Sequence, residues 1–139
     1  MSEILIDHVL LDRVTKAAKE SLRLRMNYNF HESLSSPSQR LLNALEPGTV
    51  LPIHRHRHTA ETYVLLRGRM RVLFYDDDKK EINRYELDPA EGTYGVNIPR
   101  GQWHTIEVLC AGTVIFEVKD GPYCLLYTSD AADEEDSVD

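Results

Sequence analysis

The sequence predicts an all-β fold of short antiparallel strands, a sandwich or barrel, preceded by one short N-terminal α-helix. Three observations predict it. From Leu22 onward, apolar and polar residues alternate with period two in brief runs. Glycine- and proline-bearing turns separate these runs at near-regular spacing, as at Glu46-Pro47-Gly48, Pro99-Arg100-Gly101 and Cys110-Ala111-Gly112. Helical spacing is confined to residues 4–24, and 139 residues suit one domain.

The elements follow in order. Leu10, Val14, Ala17 and Ala18 recur on one helical face with Lys16, Lys19 and Glu20 on the other, which predicts a helix over about 7–21. Asp7 or Asp12 is positioned to cap its start. Leu22, Leu24, Met26, Tyr28 and Phe30 then alternate with Arg23, Arg25, Asn27, Asn29 and His31, a strand with one polar face. Residues 33–38 are a loop and 40–45 a short strand. Strands are expected over 49–58 and 61–66. A hairpin joins 69–75 to 81–87, a short strand covers 94–98, and a last hairpin joins 103–109 to 113–119. The expected domain is residues 1–123, with the barrel over about 22–123.

Residues 124–139 fit none of this. Six acids and no base lie there, so the segment reads as an acidic disordered tail that need not be native. The whole chain carries a net charge of −7, and these six acids account for most of it. The body is near neutral and offers no basic face, which argues against nucleic acid. No run approaches the roughly 18 apolar residues of a membrane-spanning helix, and the N-terminus lacks the basic start of a signal peptide. A cytoplasmic location follows as the expectation. In that reducing setting Cys110 and Cys124 are expected as free thiols.

One constellation carries chemistry. It reads Gly48, five residues, His54, one residue, His56, four residues, Glu61, six residues, Gly68, followed later by Pro99-Arg100-Gly101-Gln102-Trp103-His104. Histidines at alternate strand positions share a face, so His54, His56 and His58 should point together. Neutral imidazoles and a carboxylate are good ligands for first-row divalent metals. His54, His56, Glu61 and His104 are therefore the expected metal ligands, with positions left open for water, substrate or dioxygen. His58 shares the face and could replace His54 or His56; otherwise it is a rim residue or substrate-side base.

Further pocket candidates are polar residues on apolar-looking faces. Asn43 lies between Leu41 and Leu45 and needs partners if buried. Arg25 and Asn27 belong to a polar stripe that either recognises anions or sugar hydroxyls or forms a solvated face. Tyr63 shares the face of Glu61. Glu117, aligned with Lys119, is a general-base candidate or one half of an exposed pair on an edge strand. Trp103 alternates away from His104, toward the outer surface or a partner.

The stretch from Gly48 to Gly68 resembles the first cupin motif at every spaced position, and Pro99, Gly101 and His104 resemble the core of the second. The second motif departs in two places. Its leading glycine falls at Gly92 or Gly95, and Val108 replaces its terminal asparagine. The segments 25–49, 61–78 and 112–123 are similar to the WbuC-like cupin metalloproteins. That resemblance implies a cupin double-stranded β-helix, a jelly-roll barrel, holding one divalent metal ion: iron, manganese, nickel or zinc. It also implies a link to surface-polysaccharide (O-antigen) biosynthesis. The expected function is binding of, or action on, a small carbohydrate-related molecule, by isomerase or epimerase chemistry or as a dioxygenase. A non-catalytic metal and small-ligand binding module is the alternative. A homodimer is expected, with residues 25–30 as the candidate interface strand.

Overall fold

A computed structural model describes residues 2–121. The expected tail and Cys124 lie outside the described residues. The elements run α1 (His8–Glu20), β1 (Arg25–Asn29), β2 (Ser38–Leu45), β3 (Glu61–Arg67), β4 (Met70–Tyr75), β5 (Glu81–Leu87), a 3₁₀ turn (Pro89–Glu91), β6 (Gly95–Ile98), β7 (Trp103–Val108) and β8 (Thr113–Asp120). Every strand pairing is antiparallel. One sheet has the order β1-β2-β8-β3-β6 and the other β5-β4-β7. The expected all-β jelly roll with one helix is what forms, but as two facing sheets rather than a closed barrel.

The core lies between the sheets, where Leu45, Tyr63, Leu65 and Ile115 meet Met70, Val72, Phe74, Ile106 and Val108. A second cluster fills the outer face of the larger sheet. There Leu10, Leu11, Val14 and Ala18 of α1 cover Leu42, Ala44 and Val114. β2 is thus buried on both faces, which explains its nearly unbroken burial from Leu41 to Leu45. Asp7 caps α1, its carboxylate accepting from the Leu10 amide at 3.0 Å. Arg67 ties the helix to the sheet by donating to Asp12 at 2.7 Å, to Thr15 at 2.9 Å and to the Gly112 carbonyl at 2.9 Å.

Two glycines allow close approach. A Cβ on Gly95 would stand 2.2 Å from the Tyr63 carbonyl oxygen across the β3–β6 pair. A Cβ on Gly68, whose φ is +96°, would stand 2.2 Å from Thr113 Oγ1. Both glycines let β3 sit tightly in the sheet that carries Glu61. Cys110 is a free thiol. Among the described residues, no helix is long and apolar enough to cross a membrane.

Several expectations need correction. Residues 49–58 do not form a strand. Pro52 has no N–H to give to a ladder, and His54 alone of this segment pairs, in a single bridge to His104. The histidine alternation therefore does not place His58 with the others. β8 is not an edge strand, because it lies between β2 and β3. Lys119 is accordingly buried rather than exposed. The polar stripe of β1 is solvated only at its end: Arg25 is 6% exposed and Asn27 half-buried, while Asn29 is exposed, and Met26 of the apolar set is 38% exposed.

Candidate metal centre

The site is built from three pieces of chain that the fold brings together. The 49–60 segment carries His54 and His56, the start of β3 carries Glu61, and the start of β7 carries His104. His54 and His104 clamp each other through the backbone, each amide donating to the other's carbonyl at 2.9 and 2.8 Å. The turn after Pro99 holds His56, because the Gly101 amide donates to the His56 carbonyl at 2.7 Å. Gly101 has φ +81°, the left-handed conformation that this turn requires. Arg25 steadies the start of the segment from behind, donating to Thr49 Oγ1 at 3.2 Å and to the Val50 carbonyl at 3.1 Å.

The donor atoms converge. One ligand atom from each of His54, His56, Glu61 and His104 lies within 4.8 Å of the other three. Glu61 Oε1 is 2.9 Å from His104 Nε2 and 3.4 Å from His56 Nε2. The rings of His54 and His104 are 4.3 Å apart between centroids, and those of His54 and His56 are 5.4 Å apart. Carbonyls orient two of the imidazoles: His54 Nδ1 pairs with the Pro52 oxygen at 3.0 Å and His104 Nδ1 with the Gln102 oxygen at 2.9 Å. A carbonyl only accepts, so each Nδ1 carries a proton, which leaves Nε2 as the ring atom available to an ion once its own proton is displaced. Gln102 is itself held, its amide donating to the Tyr75 and Trp103 carbonyls at 2.9 and 3.0 Å.

The donor set fits a divalent ion. Three imidazole nitrogens and one carboxylate suit first-row metals, and atoms bound at about 2.1 Å to one ion are at most about 4.2 Å apart, close to the spacing here. Electrostatics point the same way. Burial opposes ionisation of Glu61, but His56 and His104 outweigh it and hold the carboxyl well below its ordinary value. Burial pushes His54 down to about 3, helped by the charge of His104. His104 is also pushed down by burial, but its hydrogen bond to Glu61 prevails and raises it. Without a cation these groups share protons that a metal ion would displace.

A pocket of about 320 Å³, including its open mouth, lies against the cluster. Beyond His54, His56 and Glu61 it is walled by Asn43, Tyr63, Glu117 and Lys119, with Leu51, Ile106 and Ile115 as apolar lining. The Tyr63 hydroxyl donates to Glu61 Oε1 at 3.0 Å. Burial, with Glu61 and Glu117 nearby, raises it well above the ordinary phenol value. Glu117 is raised to about 7, first by burial and then by the charge of Glu61. Of the sequence candidates, the structure brings His54, His56, Glu61, His104, Tyr63, Asn43 and Glu117 together. His58 is exposed and outside the donor cluster. Arg25 and Asn27 are on β1 and do not line the pocket. Sequence reasoning missed Lys119 as a pocket wall, although it shares a face with Glu117 and Ile115.

Two facing antiparallel sheets with a histidine and carboxylate cluster at one end define a protein of the cupin fold. Solved structures agree. The capsular polysaccharide assembling protein CapF of Staphylococcus aureus is 23% identical with a TM-score of 0.57, over 68% of this chain and 26% of that one. A cupin-2 domain containing protein from Shewanella frigidimarina is 19% identical with a TM-score of 0.52, over 69% of this chain and 80% of that one. Oxalate decarboxylase of Bacillus subtilis, a protein with Mn(II) centres, is 21% identical with a TM-score of 0.54, over 70% of this chain and 25% of that one. These likenesses establish the fold, and the chain spans about a quarter of the CapF length. The chain belongs to the family described as a domain of unknown function, DUF6016, whose model matches residues 6–87. No curated protein matches it in sequence.

Proposed function

We propose that this chain is a WbuC-like cupin that holds one divalent metal ion through His54, His56, Glu61 and His104. In this role it binds or transforms a small carbohydrate-related molecule in surface-polysaccharide (O-antigen) assembly. The observation that carries this is the convergence of four donor atoms within 4.8 Å beside a pocket with polar walls. The fold shared with CapF, a capsular polysaccharide assembling protein, supports the substrate class. When bound, a divalent ion there supplies Lewis acidity to an oxygen it coordinates.

The chain's own residues supply the rest. Tyr63 keeps its proton and donates it toward Glu61, which fixes the carboxylate. Glu117, raised to about 7, is poised to take or return a proton on a ligand in the pocket. Leu51, Ile106 and Ile115 exclude water from one side. Residues 1–123 act as one cupin domain, paired as a homodimer in the cytoplasm.

The test is anaerobic purification, reconstitution with Fe(II) and exposure to nitric oxide, followed by optical spectroscopy. A spectral response shows an ion with open positions, as a substrate-handling centre requires. A bound ion that gives no response contradicts the enzyme reading and favours a structural ion or a closed binding module.

A further inference from the structure

The wall of the pocket facing the histidines holds an acceptor with nothing to accept. Asn43 on β2 and Glu117 on β8 point inward from neighbouring strands, where Asn43 opposes Ile115 and Leu41 opposes Glu117. Asn43 Nδ2 donates to Glu117 Oε1 at 3.0 Å. Because a carboxylate offers acceptors, this bond turns the amide so that Oδ1 points away from Glu117. Asn43 is only 7% exposed, and its Oδ1 is buried with no hydrogen-bond partner among the described residues. Buried polar atoms in folded proteins almost always have a partner, and the residue that carries this one lines the pocket beside the donor cluster.

We infer that Asn43 Oδ1 recognises a hydroxyl of the ligand, with Glu117 as the residue that positions it. This rests on the metal reading above. The ligand class is a small polyhydroxylated acid or carbonyl compound. It offers oxygens to the metal ion and at least one further hydroxyl, not held by the metal, that donates to Asn43. The enclosed part of the pocket, about 20 Å³, admits only a small group of the ligand at this wall. Leu51, Ile106 and Ile115 give that hydroxyl no polar partner, Lys119 offers donors and no acceptor, and the Tyr63 hydroxyl is already bonded to Glu61.

A matched pair of probes tests this. Glycerate and lactate both offer a carboxylate and an adjacent hydroxyl to a metal, and glycerate adds one more hydroxyl. Their affinities for the Mn(II)-loaded full chain are read from water-proton relaxation, with both enantiomers of each acid. One enantiomer of glycerate should bind about tenfold more tightly than the matching lactate, the worth of one good hydrogen bond. Asn43→Leu should erase that preference while leaving lactate affinity and Mn(II) stoichiometry unchanged. Equal affinities for both acids in the wild-type chain overturn the inference and leave the metal reading standing. A preference that survives in Asn43→Leu also overturns it. Failure of the wild-type chain to bind Mn(II) overturns the metal reading and this inference together. Should Asn43→Leu not fold, the wild-type ratio decides alone.

Discussion

His54 and His104 are joined twice, by reciprocal backbone hydrogen bonds of 2.9 and 2.8 Å and by rings whose centroids are 4.3 Å apart. One comes from an irregular segment and the other from β7, so the bridge ties that segment to the smaller sheet at the donor cluster. The backbone fixes where both imidazoles start, and the Pro52 and Gln102 carbonyls fix how each ring turns. A cluster held by main-chain bonds is preorganised, which lowers the cost of assembling it around an ion.

Gly95→Ala should destabilise the protein by about 1–3 kcal/mol, as overpacking does. The new methyl would meet the Tyr63 carbonyl at 2.2 Å and push β6 off β3. Chemical denaturation monitored by Trp103 fluorescence measures this, and an unchanged midpoint would contradict the tight β3–β6 packing.

His58→Ala should leave metal stoichiometry and affinity within about twofold of wild type, since exposed substitutions away from special features have small effects. His58 is exposed and is not one of the four clustered residues. Loss of the ion in this variant, measured by elemental analysis, would replace His54 or His56 with His58 in the ligand set.

Glu117→Gln should change how stability varies with pH in the metal-free chain. Burial and the charge of Glu61 raise Glu117 from 4.5 to about 7, against Asn43, Lys119 and His104. A carboxyl raised on folding contributes stability that is complete below its unfolded value and is lost as pH rises through the folded one. Wild type should therefore lose stability relative to Glu117→Gln between about pH 5 and about pH 8. Parallel melting curves across that range would show that Glu117 is not raised.

Much of this architecture was legible in the residue order. β3, β4, β7 and β8 announce themselves by alternation and by the Gly68, Asp76–Lys80 and Gly112 turns, and Asp7 caps α1 as its position suggests. The spacing of His54, His56, Glu61 and His104 resembles cupin motifs, and the four do meet. Long-range pairing was not legible. Whether β8 is an edge or a central strand depends on β2 and β3 both closing on it, which no local pattern records. That pairing buries Lys119 and turns Glu117 into the pocket. Alternation also misled at residues 49–58, where histidines spaced by two imitate a strand that Pro52 prevents. On β1 it could not say which face turns inward, because the Arg25 guanidinium finds partners in Thr49 and Val50 that lie 24 and 25 residues away.

In the proposed function, His54, His56, Glu61 and His104 hold one ion. Elemental analysis of purified wild type, His56→Ala and His104→Ala, each confirmed as folded by circular dichroism, tests it most directly. One divalent ion per wild-type chain is expected, with far less than stoichiometric metal in both variants, because removing either imidazole opens the cluster around Glu61. Full occupancy in both variants would contradict it.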